Sequence, residues 1–416
     1  MFKFVLAAVA AAALLTSCGT AAPLSKSSIS APERERLAKR IDPRTVQATN
    51  AFGLELAGRI MQEYPGENLI LSPVSIVQAL SMTLNGASGP TREEMKKALH
   101  AEGMTLQELN AGQQVLREVL VRTGPGITLS MANSLWLQEE WPFRKTYLDR
   151  VKSAYGAELN QRDLTEPGVR KEMNKWVDKQ TNGLIPTILD QPVSGNTRAL
   201  LLNALYFDGA WQTPFEPEET RDGDFTNGDG SKSRISFMHR EGMFEYEEND
   251  AYQAVRLPYG DGQMGMLVVL PRQGADQAAL TAKWLRDPGL WTKRYTSFQG
   301  RLAMPKFRIE DQHELKKTLS AMGMSLPFDP DQADFSEMAD TSGRNGKLFI
   351  SQVVHKTLLD VSERGTKAAA ATMVGVSSGS AGPKKSFEMT IDRPFLFAIE
   401  DLQSGTLLFA GRIEKL

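Results

Sequence analysis

A stretch of about two dozen residues, 363–386, restricts this chain more than any other part of it. It reads ERGTKAAAATMVGVSSGSAGPKKS and lies between two strand candidates, 353–361 and 389–399. Structureless loops of this length inside a compact domain are uncommon and are usually functional or disordered. Its first half has no bulky residue or proline, and after Arg364 its one charge is Lys367. Taken as a strand with period 2, one face carries Thr366, Ala368, Ala370, Thr372, Val374 and Val376. The other carries Lys367, Ala369, Ala371, Met373, Gly375 and Ser377. The first face is small and uncharged and suits burial between strands, while the lysine falls where water can reach it. The same composition also fits an exposed loop or a short helix, because alanine favours helices.

The surrounding chain is ordinary. With 48 basic and 50 acidic side chains among 416 residues, the net charge is −2 and the pI about 6.2. That balance argues against a polybasic nucleic-acid binder. Apolar residues at 41% and charged residues at 24% argue against disorder. Length alone suggests two or three domains. A single cysteine excludes an internal disulfide and a cysteine metal cage.

That cysteine is Cys18. Lys3 followed by the apolar run 4–15 reads as a signal segment too short to span a bilayer comfortably. Leu15-Thr16-Ser17-Cys18 resembles a bacterial lipobox, which implies removal of residues 1–17 and lipidation of Cys18. Each buried lipid methylene contributes roughly 0.8 kcal/mol to such an anchor. The expected location is extracytoplasmic, on a bacterial membrane, with the outer membrane favoured. Residues 18–44 read as a tether, Ser/Ala/Pro-rich and then charged at Glu33-Arg34-Glu35-Arg36. The globular domain is expected over 45–416.

Helical spacing predicts helices over 45–63, 75–84, 106–121 and 169–181, with a capping box at Thr91-Arg92-Glu93-Glu94 opening another. Strands are predicted over 127–137, 200–207, 251–258, 264–270, 300–309, 348–363, 395–400 and 407–412. Helices come mainly early and strands mainly late, joined by short turns, so the fold class is α+β with largely antiparallel sheets.

Enzyme-like motifs fail on context. Gly260-Asp261-Gly262-Gln263-Met264-Gly265 matches G-x-G-x-x-G, but a strand follows where a dinucleotide site needs a helix. Gly375-Val376-Ser377-Ser378-Gly379 matches a nucleophile elbow, but Ser380-Ala381-Gly382-Pro383 cannot continue as a helix. Asp222-Gly223-Asp224 lacks the remaining calcium-loop ligands and reads as a turn. His100, His239, His313 and His355 show no metal-binding spacing. No metal, cofactor or catalytic residue is expected.

Several blocks together identify a family. Gly365-Thr366-Lys367-Ala368-Ala369-Ala370-Ala371-Thr372 resembles the hinge of serpins, beginning near Glu363. Met389-Thr390-Ile391-Asp392-Arg393-Pro394-Phe395 resembles the block that follows their reactive loop. Asn68-Leu69-Ile70-Leu71-Ser72-Pro73 is similar to the early shutter segment, and Asn203-Ala204-Leu205-Tyr206-Phe207-Asp208-Gly209-Ala210-Trp211 to the strand entering the breach. Met304-Pro305-Lys306-Phe307 and the block 407–412 also fit. The resemblance covers roughly 45–416 in order, so the domains suggested by length become one.

The resemblance implies three β-sheets, eight or nine helices and an exposed reactive-centre loop at about 363–386. It also implies suicide inhibition of serine, and sometimes cysteine, endopeptidases, in which the cleaved loop inserts into the family's main sheet. Ser72, Ser75, Asn203 and His355 match shutter positions, and Trp211 a breach position. Family spacing from Glu363 puts the reactive bond at Gly379-Ser380; spacing back from Pro394 points nearer Pro383. Val376 and Lys384 remain alternatives. Small residues there favour elastase-like or subtilisin-like targets. Lys367 stands where the family commonly has an acidic residue. The helix at 106–121 holds one base, Arg117, so no heparin site is expected. The chain is expected to act as a monomer, touching a membrane through its lipid alone. The alternatives are a non-inhibitory carrier or chaperone-like module of the same fold, and a hydrolase using Ser377.

Overall fold

A computed structural model describes residues 29–340, 347–366 and 386–416. Ten α-helices are present among them: α1 (Ala31–Ala38), α2 (Pro43–Glu63), α3 (Pro73–Leu84), α4 (Gly89–Ala98), α5 (Leu106–Val121), α6 (Lys145–Tyr155), α7 (Val169–Gln180), α8 (Gln277–Arg286), α9 (Pro288–Thr292) and α10 (Lys316–Ala321). None is long and apolar enough to cross a membrane. The strands are β1 (Leu69–Leu71), β2 (Ile127–Gln138), β3 (Glu158–Arg162), β4 (Ala199–Ala210), β5 (Arg221–Thr226), β6 (Lys232–Glu248), β7 (Tyr252–Tyr259), β8 (Met264–Pro271), β9 (Ser297–Pro305), β10 (Phe307–Glu314), β11 (Ile350–Ser362), β12 (Gly365–Thr366), β13 (Ser386–Thr390), β14 (Phe395–Asp401) and β15 (Thr406–Ile413).

They form two hydrogen-bonded sheets. One has six strands in the order β10-β11-β12-β4-β2-β3, with β11 and β4 also paired directly. The other runs β1-β15-β14-β8-β7-β6-β9-β13, with β5 beside β6. Two of the three sheets implied by resemblance are joined here by β6, which pairs with β9 over 237–245 and with β7 over 245–248.

Strand β4 explains the layering. Its alternate residues Leu205 and Phe207 pack toward the nine-stranded sheet, beside Val255 and Phe409. The intervening Leu200, Leu202 and Ala204 pack under Met173, Trp176 and Val177 of α7. A strand covered on both faces must be continuously apolar, as the run Ala199-Leu200-Leu201-Leu202 is.

Helix α3 is buried along its whole length. Pro73 opens it, and the Ser72 hydroxyl caps it by accepting from the Ser75 amide. It crosses α2 at Gly53, where a Cβ would lie 2.2 Å from the Pro73 ring. This close approach fixes the start of α3 against the core.

Four expectations need correction. The capping box is not at Thr91: α4 begins at Gly89, and Thr91 is buried, its hydroxyl accepting from the Asp334 amide. The Glu94 carboxylate accepts instead from the Ser325 and Leu326 amides. The working box is Thr105–Glu108 at the start of α5. The single strand expected over 300–309 breaks at Pro305-Lys306, and the two halves join different sheets. Asp222-Gly223-Asp224 is not a turn but part of β5, with Asp224 paired to Lys232 and Arg234.

The fourth concerns the N-terminal span expected as a tether. By Ala31 the chain is helical, and Leu37 and Ile41 join the core. Arg34 is wholly buried, ion-paired with Asp401 and donating to Gln403. The charge run 33–36 is therefore not solvated all round, since one arginine fills a matched acidic site. Gly260-Asp261-Gly262 is a hairpin turn between β7 and β8, with Gly260 and Gly262 at φ 54° and 86°.

Candidate functional site

The six-stranded sheet has a seam in its middle. Strands β4 and β11 run parallel and pair from Ala199–Ile350 up to Leu205–Thr357. Above that point their direct pairing stops, and β12 stands between them as a wedge. Gly365 and Thr366 pair antiparallel with Ala210 and Gly209 on one side and with Ser362 and Val361 on the other.

A hairpin makes the wedge possible. After β11, Glu363 and Arg364 turn the chain back, and their carbonyls accept from the Phe215 and Trp211 amides, each at 2.9 Å. The Trp211 indole donates to the Ser362 carbonyl at 2.9 Å. The Glu363 carboxylate takes Lys306 at 2.9 Å and the Thr220 hydroxyl at 2.9 Å. Burial works to raise its pKa, but the Lys306 ammonium and these hydrogen bonds outweigh it and hold the carboxyl below its usual range. Gly365 sits at φ 140°, and a Cβ there would come 2.1 Å from the Gly209 carbonyl oxygen. Only glycine fits both the dihedral and the space.

Thr366 is 1% exposed and turns its side chain inward. Its hydroxyl meets the buried Tyr259 hydroxyl at 2.6 Å. Desolvation pushes the Tyr259 pKa far up, so the phenol keeps its proton.

Midway along the seam a polar row crosses four strands. His313 on β10 is opposite His355 on β11, His355 is opposite Asn203 on β4, and Asn203 is opposite Asn133 on β2. The Ser72 amide donates to His355 Nε2 at 3.1 Å, so that nitrogen carries no proton. Nδ1 then donates to Asn203 Oδ1 across the seam. The Asn203 amide donates to the Ser75 carbonyl at 3.0 Å and to Asn133 Oδ1. Complete burial, with His313 nearby, depresses the His355 pKa to about 3, and Asp311 offsets this only in part. His355 is therefore neutral at physiological pH, and parting β11 from β4 strips the Asn203 bond from its ring.

The structure thus brings Ser72, Ser75, Asn203 and His355 into one cluster, and gathers Glu363, Gly365, Thr366 and Trp211 at the top of the seam. Ala368, Ala369, Ala370, Ala371, Thr372, Val376, Gly379, Ser380, Pro383, Lys384 and Cys18 lie outside the described residues. The chain resumes in β13, parallel to β9, with Phe387 packed over Gly300 and stacked on Tyr246.

Sequence reasoning missed Asn133, Tyr259 and Lys306. Asn133 was legible as a polar interruption inside a strand candidate, but nothing local paired it with Asn203. Tyr259 was hidden beside a turn motif. Asp208 on β4 and Asp360 on β11 also went unread; both point to the α7 side of the sheet, flanking the seam.

Comparison with known proteins follows the same lines. The family described as Serpin (serine protease inhibitor) matches residues 47–416. A bovine protein named leukocyte elastase inhibitor is 34% identical over 385 residues, 88% of this chain and 98% of its own length. An uncharacterized serpin-like protein of Thermococcus kodakarensis is also 34% identical, covering 88% of this chain and 85% of its own. Among solved structures, the thermophilic serpin tengpin in its native state superposes with a TM-score of 0.81 at 29% identity, covering 91% of this chain and 95% of that one.

Proposed function

The chain belongs to the serpin family, and on that basis we propose that it is a suicide-substrate inhibitor of serine endopeptidases. Inhibitory relatives support protease inhibition in general. The observation that carries the trapping mechanism is the wedge: two residues of the loop already stand as a middle strand between β4 and β11.

The protease serine Oγ attacks the carbonyl carbon of the residue before the cut. The peptide C–N bond breaks, and the protease's base delivers the proton to the new amine. An ester then joins protease and inhibitor. Freed at one end, the loop extends β12 down the seam. Each step exchanges pairing between β4 and β11 for pairing on both sides of a new strand. At about 1 kcal/mol net per added hydrogen bond, roughly ten residues supply on the order of 10 kcal/mol. The protease is dragged and its oxyanion hole distorted, so water fails to release it.

Continuing the β12 register supports the details. Thr372 would come between Asn203 and His355, where its hydroxyl can replace the bond lost on opening. Lys367 would lie between Asp208 and Asp360, which suits a base where the family commonly has an acid. Val376 would reach Ala199, the first residue of β4, with Gly379 just beyond the sheet. Cleavage after Lys384 would leave a slack tail of roughly 26 Å at about 3.3 Å per residue. This favours Gly379-Ser380 over Pro383 and Lys384, and the small residues there favour elastase-like or subtilisin-like targets.

The chain is further proposed to be a bacterial lipoprotein, tethered extracytoplasmically through Cys18. The Cys18→Ala variant is expected in the soluble fraction and the parent chain in the membrane fraction. For inhibition, the protein is incubated with elastase-like, subtilisin-like and trypsin-like enzymes. A band at the summed mass that survives denaturing detergent, with release of the fragment starting at Ser380, is the expected result. Clean nicking by every enzyme would instead indicate a non-inhibitory module.

A further inference from the structure

Tyr259 ends β7, and its phenol lies beneath the wedge with no exposed surface. Its ring is fixed from two sides. Trp211 stacks on it with 4.3 Å between centroids and 12° between planes, and Phe207 meets it edge-on at 5.1 Å. Gly209 makes room for that arrangement, since a Cβ there would press to 3.0 Å from the tyrosine ring. Held this way, the hydroxyl is aimed at Thr366 Oγ1, 2.6 Å away. In apolar surroundings each hydroxyl gains from the other what water cannot supply, and lifting Thr366 out would orphan the phenol.

We propose that Tyr259 is a positioning residue for trapping: it holds Gly365 and Thr366 between β4 and β11 before any cleavage occurs. Loop insertion then starts from a seated nucleus instead of a closed seam. Seating the first residues costs conformational entropy before neighbouring pairs repay it, so a pre-formed start shortens the race against hydrolysis of the ester. This role rests on the inhibitory reading above. The seat itself does not, because it is a property of the uncleaved molecule.

Two variants isolate the bond. Tyr259→Phe keeps the ring and its stack on Trp211; Thr366→Val keeps the branched shape without the hydroxyl. Amide hydrogen exchange of the uncleaved protein is read by mass spectrometry over 361–366, with α3 and β14 as internal references. In parallel, the partition ratio, inhibitor cleaved per protease trapped, is measured against an elastase-like serine protease. Each single variant is expected to lose about fivefold of the exchange protection at 361–366, as for one buried hydrogen bond. The double variant should lose no more, the references should not change, and the partition ratio should rise several-fold.

Unchanged exchange at 361–366 in both single variants would overturn the seat. Faster exchange everywhere with an unchanged partition ratio would show mere structural weakening and overturn the role in trapping. Should the parent chain only be nicked, the inhibitory reading falls and the role in trapping falls with it, while the exchange data still report whether the hydroxyl pair holds the hinge.

Discussion

Replacing Thr366 with arginine tests the inward face of the loop directly. The threonine side chain is 1% exposed, set against Tyr259 at the head of the seam. The nearby carboxylate of Glu363 is already engaged by Lys306 and Thr220. A guanidinium does not shed its charge, so it enters that site ionised and unpaired or stays out. Burying such a charge costs several kcal/mol even after relaxation. Taking about 4 kcal/mol, and about 1.4 kcal/mol per tenfold in rate, insertion slows by roughly a thousandfold. Hydrolysis of the ester is untouched, so nearly every encounter ends in nicked inhibitor and free protease. The assay is the yield of detergent-stable complex at increasing inhibitor-to-protease ratios, alongside melting of intact and nicked protein. The parent chain should trap protease and melt higher once nicked; Thr366→Arg should do neither. A Thr366→Arg variant that traps as well as the parent would refute the argument that inward charge blocks insertion.

Four further outcomes follow from named contacts. Lys367→Glu would bring a third carboxylate between Asp208 and Asp360 during insertion, so complex yield should fall several-fold, and less so at high salt, where like charges are screened. Gly365→Ala forces a Cβ against the Gly209 carbonyl and should unseat the hinge, seen as loss of exchange protection at 361–366. His355 has a folded-state pKa depressed to about 3, so its contribution to stability is present above about pH 6.5 and is lost as pH falls, by about 1.4 kcal/mol per unit. Urea midpoints should drop over that range, more steeply in the parent than in His355→Gln. Arg34→Ala leaves Asp401 buried without its cation and should destabilise the fold by about 3–5 kcal/mol, read as a lower melting temperature.

Strong local patterns were readable from residue order alone. The apolar stripe Phe52, Leu56, Ile60 gave α2, and the run after Gly262 gave β8, because hydrophobic periodicity and turn chemistry act locally. The split at Pro305-Lys306 was not readable, since both halves are strands and differ only in which sheet they join. Thr91 and Glu94 look like a cap in isolation, yet tertiary partners at Asp334 and Ser325 claim them. At the site, Ser72, Asn203 and His355 came from family resemblance. Asn133 needed the register of β2 on β4, and Tyr259 needed the packing of a hairpin against the hinge. Arg34 was misread for the same reason: its partner, Asp401, is 367 residues away.

The parallel pairing of β4 with β11 has a mechanical consequence. Since β12 is antiparallel to both, a strand growing from Thr366 to Val376 would carry its free end from one end of β4 to the other, about 33 Å at 3.3 Å per residue. That stroke cannot be shortened without leaving the seam part-filled, and after each notch the backbone bonds already made oppose slippage. On the proposed mechanism the device would therefore work as a single-use ratchet, its throw set by how far β4 reaches past the wedge.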